Sequence, residues 1–285
     1  MPALEFPAPP VDETQAPAWA LWRNMQRLNC GCGRHARPDW TNVDFRAQAP
    51  GVIEHDLRQG LAFADGHFDC VYSAHLLEHL PRHGAGAFLR ECLRVLRPGG
   101  LLRLVVPDLE SGARRYLDHL ERAEAGDETA AERYEWCVIE LLDQLTRIRS
   151  GGEMVAYWSR QPMPAFGFVR QRAGAELDGF LREFAAPGRV HEAAARAAEP
   201  EDPEEYARLR QSGELHLWMY DRRSLRLVME EAGFARVRRL DAATSDIPDF
   251  ARFELDVLPG GTERKPDSLY FEGQKPAPGA AGERA

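Results

Sequence analysis

Short apolar runs alternate with helically spaced apolar positions over the first third of the chain. Residues 26–30, 41–45, 52–55 and 68–73 read as four short strands, with Gly31, Asp44, Asp56 and Ser73 at or beside their carboxyl ends. Ala85, Phe88, Leu89, Cys92, Leu93 and Leu96 then recur at the spacing of one helix face, and Pro98-Gly99-Gly100 ends that helix. Residues 101–106 (LLRLVV) form a nearly continuous apolar strand, the pattern of a parallel sheet covered on both faces. Late in the chain, Leu225, Val228, Met229 and Ala232 mark a helix over 224–232, with Asp221 placed to cap it and Gly233 to end it. Residues 236–240 and 268–273 read as two further strands. The fold class is α/β, a doubly wound sheet, whose ligands bind at the carboxyl ends of the strands. That places the chemistry at residues 31–33, Asp44, Asp56, residues 73–79 and Asp108.

Composition narrows the partners. The 285 residues carry 36 basic and 45 acidic side chains, a net charge of −9, and 34 of the 36 cations are arginine. With no basic tract, nucleic acid is not an expected partner. No apolar run is long enough for a membrane span, and the first residues lack a basic and then apolar leader, so a cytoplasmic protein is expected. Five cysteines at uneven spacing fit a reducing compartment better than a disulfide framework. Residues 1–18 and 275–285, rich in Pro, Ala and Gly, read as tails. Residues 111–213, helical and broken by Gly and Pro, read as an insertion between the sheet segments 19–110 and 214–274, placed to cap the site.

Gly31-Cys32-Gly33 follows the first strand directly, where glycine lets the backbone turn tightly and approach a ligand. Asp44 ends the second strand eleven residues after Gly33, in place to accept both hydroxyls of a ribose. A dinucleotide is disfavoured: position 35 is His rather than a third glycine, and residues 33–41 are too few for a crossover helix. If a helix begins at His75, then His75, Glu78 and His79 share one face as candidate bases or metal ligands. His216, Trp218 and Tyr220 fall on one side of an extended run and line a second pocket, unless the aromatics are core. Arg147 and Arg149, flanking Gly151-Gly152, either meet an anionic acceptor or are solvated charges.

The segments LNCGCG, WTNVD, HDL, FDCVYSAHLLEHL and FLRECLRVLRPGGLLRLVVPD resemble the class I S-adenosylmethionine-dependent methyltransferases, and within them a compact bacterial group. The resemblance covers residues 26–109 and resumes in HLWMYDRRSLRLVMEEAGF and RKPDSLYFEGQK. It implies a Rossmann-like sheet, mostly parallel with an antiparallel last strand, and S-adenosyl-L-methionine as cofactor. Asn29, Cys30, Gly31, Cys32 and Gly33 would then wrap the methionine portion. Asp44 would hold the ribose, Asp56 and Leu57 would flank adenine, and Ser73 and Ala74 would lie under the sulfonium. The usual acid before the first glycine is Asn29 here. His75, His79 and His216 are the catalytic candidates. In that group Glu-His is a structural feature of its loop, so no metal is expected. The acceptor implied is a small molecule or a saccharide; the alternative is a cofactor-binding, non-catalytic regulatory or scaffolding protein.

Overall fold

The structure, a computed structural model, describes residues 25–183 and 203–277. The expected tail over residues 1–18 lies outside them, as does most of the one at the other end. Lys275, where that tail was expected to begin, is held against the sheet: its amide donates to the Gly100 carbonyl at 2.9 Å and its Nζ to the Leu96 carbonyl at 2.6 Å.

Seven strands form one sheet: β1 (Arg27–Cys30), β2 (Thr41–Asp44), β3 (Val52–Glu54), β4 (Phe68–Ala74), β5 (Leu96–Pro107), β6 (Ala235–Leu240) and β7 (Ser268–Gln274). Their order is β3-β2-β1-β4-β5-β7-β6. β7 runs antiparallel to both its neighbours and the other pairings are parallel. The strands fall where the apolar runs placed them. β5 differs: it starts at Leu96 and includes Pro98-Gly99-Gly100. Those residues bulge, the register jumping from Phe68↔Leu96 to Cys70↔Leu101, while Gly99 and Gly100 bond to the backbone of Lys275.

Helix α1 (Arg82–Val95) buries Ala85, Phe88, Leu89, Cys92 and Val95, and its last turn runs straight into β5. With the late helix it covers one face of the sheet, in a core that includes Leu28, Phe68, Leu102, Leu104, Leu225 and Met229. The other face is covered differently. Trp40, Tyr72, Val105 and Tyr270 pack under Ile247, Phe250, Phe253 and Leu255, which come from the connection between β6 and β7. An aromatic loop thus takes the place of a helix layer. Arg103, fully buried in β5, ties this roof down. It donates to Asp256 at 2.6 Å, to Glu272 at 2.9 Å and to the carbonyls of Asp241 and Thr244 at 2.9 Å each. Tyr72 reaches the same Asp256 at 2.6 Å.

Among the described residues between β5 and β6 are the helices α2 (Leu109–Glu124), α3 (Glu128–Thr146), α4 (Gly152–Trp158), α5 (Phe166–Ala173), α6 (Ala175–Glu183), α7 (Pro203–Gln211) and α8 (Arg222–Glu231). Trp136, Tyr157, Trp158, Val169, Leu177 and Phe180 form a core of their own there. Asp221 accepts from the amides of Arg223 and Ser224 while Ser224 returns a bond to the Asp221 amide, a capping box that starts α8. Gly233 follows at φ 105°, the left-handed residue expected there.

Candidate active site

The carboxyl ends of β1, β2 and β4 meet at a cleft. No helix joins β1 to β2. The ten-residue connection is instead held by side-chain amides: Asn42 accepts from the Arg37 amide at 3.0 Å and donates to the Arg37 and Trp40 carbonyls at 2.8 Å each. Asn29, buried in β1, donates to Asn42 at 3.1 Å and to the His35 carbonyl at 3.3 Å. Its side-chain NH₂ therefore serves the turn rather than the cleft. Gly31 and Gly33 take left-handed φ values of 71° and 50°, which is where glycine is needed. A Cβ on Gly31 would lie 3.0 Å from Leu76. The Gly33 amide donates to Asp44 at 2.8 Å, so the acid of β2 sits against the glycine turn.

Two hollows open from this turn. The first, about 410 Å³, is lined by Gly31, Gly33, Asp44, Phe45, Asp56, Leu57, Arg58, Leu76 and His79, among others. The second, about 260 Å³, is lined by Asn29, Cys32, His35, Ala74, Glu176, Asp256, Arg264 and Lys265. Gly31, Gly33 and His75 border both. A larger hollow of about 740 Å³ lies at the opposite ends of β4 and β5, away from these residues. In the first hollow, Arg58 lies 5.4 Å from the ring centre of the exposed Phe45 and pairs with Asp56 at 2.8 Å. That guanidinium bond, with burial opposing it, holds the Asp56 carboxyl down to about 2. In the second, Lys265 pairs with Glu176 at 2.6 Å. Burial and the cations Arg264, Lys265 and Arg37 push His35 down to about 4, so it is neutral. Burial, with the nearby Asp44, raises the Cys32 thiol to about 12, so it is no nucleophile at neutral pH.

Under the junction lies a group of imidazoles around one carboxylate. His75 is at φ 51°, beyond the end of β4, and its Nδ1 lies 3.1 Å from Glu78 Oε1 while Nε2 meets Ser268 Oγ at 2.9 Å. Only a short helical turn, Leu77–His79, follows, so the shared helix face expected from residue 75 does not form. His79 is turned the other way: its Nδ1 bonds to the Leu215 carbonyl at 2.9 Å and its ring packs edge-on to His216 at 4.8 Å. His216 Nε2 lies 4.0 Å from Glu78 Oε1. Burial opposes ionisation of Glu78, but the histidines around it outweigh that and hold its carboxyl down to about 2. Burial keeps His216 neutral, down to about 3.

Several expected residues lie elsewhere. Cys30 and Ser73 point into the packed interior and border neither hollow. Asp108 caps α2, accepting from Ser111, and pairs with Arg239. Tyr220 belongs to the main core, whereas Trp218 is exposed beneath Arg82. The expected alternation fails because the Leu217 and Trp218 amides both donate to the Glu78 carbonyl, so this stretch is not a strand. Arg147 is engaged by Asp143 and Glu214, and Arg149 by Glu153 at 2.9 Å, so neither is offered to an acceptor. Phe45, Arg264, Lys265 and Glu176 were not expected. Phe45 had a signal, an aromatic directly after the strand-end acid; Arg264 and Lys265 come from a segment without periodicity, and Glu176 lies in α6, far from the motifs in sequence.

Residues 30–104 match the model of a family described as a methyltransferase domain. No curated protein matches the chain. Among solved structures, it is similar to the CurJ carbon methyltransferase (13% identity, TM-score 0.39), covering 93% of this chain and 51% of that one. It is also similar to an S-adenosylmethionine-dependent methyltransferase from Archaeoglobus fulgidus (13%, TM-score 0.38, 90% and 89%). PigF with S-adenosylhomocysteine is a third (11%, TM-score 0.36, 89% and 51%). The chain thus spans about half the length of the first and third. These likenesses are loose and concern the fold alone. The sheet is Rossmann-like, mostly parallel with an antiparallel β7. The matched segment takes in the glycine turn, Asp44, Asp56 and residues 73–79 at the cleft.

Proposed function

We propose that the chain transfers a methyl group to a small-molecule or sugar acceptor, with the cofactor in the larger of the two joined hollows and the acceptor in the other. The observation that carries this reading is the shared border: Gly31, Gly33 and His75 face both spaces, so two ligands would meet there. The residues fit the cofactor. Asp44 offers a carboxylate for the ribose diol, Phe45 an exposed ring face, Leu57 an apolar wall, and the glycine turn close backbone approach. When bound, the cofactor supplies an electrophilic methyl on a sulfonium. The chain's work is then alignment of nucleophile, carbon and sulfur, and exclusion of water, which together contribute up to about 7–11 kcal/mol.

His75 is the candidate base. Its Nδ1 lies 3.1 Å from Glu78 and its Nε2 2.9 Å from Ser268 Oγ, at the border of both hollows. That base matters only for an acceptor that must lose a proton. Arg264 and Lys265 face Glu176 and Asp256 in the second hollow, a lining of both signs that favours a strongly polar acceptor. Labelled S-adenosylmethionine incubated with fractionated small metabolites, with products read by mass spectrometry, tests the proposal. A gain of one methyl on a small molecule is expected. Binding of S-adenosylhomocysteine in calorimetry without any methylated product would favour the regulatory alternative, and absence of binding would remove both.

A further inference from the structure

Glu78 is fully buried, and neither of its carboxylate oxygens receives a hydrogen bond of good geometry among the described residues. A buried carboxylate in that condition is costly unless a cation satisfies it. Among the described residues no lysine or arginine forms an ion pair with it; its neighbours are imidazoles. One ligand atom each from Glu78, His79 and His216 lies within 4.8 Å of the others.

The second layer is in place as well. A carbonyl can only accept, so the bond to Leu215 puts the His79 proton on Nδ1 and frees Nε2 as a lone-pair donor. His75 Nδ1 lies 3.1 Å from Glu78 Oε1 on the other side, without a hydrogen bond of good geometry. The strand-distant His216 is fixed by its own backbone: its amide donates to the Gln144 carbonyl at 2.9 Å, and the next amide, Leu217, to the Glu78 carbonyl at 2.7 Å. The ligating segments are therefore clamped to each other independently of any ion.

We propose that Glu78, His79 and His216 bind one divalent cation of the zinc, cobalt or manganese type, with an open coordination position toward the larger hollow. Two imidazoles and one carboxylate are the donor set of such borderline ions, and three protein ligands leave room for a further one. A tetrahedral ion with bonds of about 2.0–2.1 Å needs ligand atoms about 3.3 Å apart, a modest contraction of the present group. His79 lines the larger hollow, so the ion stands at its edge rather than sealed in the core. The neighbouring His75 borders both hollows, so any part the ion plays in transfer rests on the function proposed above; its binding does not.

The test uses the untagged full chain, stripped with chelator and titrated with Co²⁺ without cofactor. The visible d–d absorption and the metal retained after dialysis are both read. Binding of about one Co²⁺ per chain is expected, with Zn²⁺ displacing it. Glu78→Gln and His216→Ala, each checked for an unchanged far-ultraviolet spectrum, should weaken binding by more than about 100-fold, since loss of even an outer partner costs about 10–100-fold. His119→Ala, a histidine of α2 away from this group, should bind as the parent does. Absence of Co²⁺ absorption in the parent, or equal binding by the folded variants, overturns the proposal. Calorimetry with S-adenosylhomocysteine on the same stripped sample separates this failure from that of the methyltransferase reading.

Discussion

Asp44 and the two glycines share one geometry but answer to different physics. Asp44→Ala removes a charged acceptor of hydrogen bonds, each such bond contributing about 1.5–3 kcal/mol. S-adenosylhomocysteine should therefore bind about 10–100-fold more weakly in calorimetry, with the melting temperature little changed. Gly31→Ala should behave in the opposite sense. The left-handed φ costs about 1–2 kcal/mol, and the new methyl meets Leu76. Gly33→Ala has no atom within 4 Å of its Cβ, so it should lose only the conformational part. A smaller loss at Gly31 than at Gly33 in denaturant titrations would contradict this account. These residues were legible because a strand end, a glycine turn and an acid at fixed spacing report backbone geometry. The grouping of the histidines near Glu78 was legible in part, but not their arrangement. Position along the chain does not reveal that His79 turns away to Leu215 and His216.

The elements around the site depend on a few polar anchors. Glu91 of α1 accepts from the Leu61 amide at 2.8 Å and pairs with Arg94, which also holds the Leu61 and Phe63 carbonyls. Together they fix the segment following Asp56. The Arg94 bond, against some desolvation, holds Glu91 down to about 2 from an ordinary 4.5. The folded value lies below the unfolded one, so this stabilisation is present above pH 4.5 and is lost as pH falls toward 2. Asp56 behaves alike. Acid titration followed by hydrogen exchange should show residues 56–63 losing protection before β4 and β5. Asp221→Ala removes the box that starts α8 and should lower stability by about 1 kcal/mol. Strands and helices with a clear period were legible. The start of β5 was not, because a Pro-Gly-Gly turn that keeps its pairing through a bulge looks the same in sequence as one that ends it.

At the scale of the whole molecule, Arg103 is the cross-brace. It is fully buried and joins β5 to Asp256, Glu272 and two loop carbonyls. Arg103→Met leaves two buried carboxylates without their cation and should cost about 3–5 kcal/mol in guanidinium unfolding. No run of polar and apolar positions announced this brace, since a lone arginine inside LLRLVV reads as an interruption rather than a hub. The aromatic roof it secures was hidden for the same reason: residues 241–265 have no periodicity to read. Yet that roof supplies Leu255, Asp256, Arg264 and Lys265 to the smaller hollow while giving nothing to the larger one. On the proposed reading, the β6–β7 connection would bear on the acceptor and not on the methyl donor. Exchanging only Arg264 and Lys265, and leaving the packed aromatics of the roof in place, would then change which acceptor is taken while the larger hollow kept its lining.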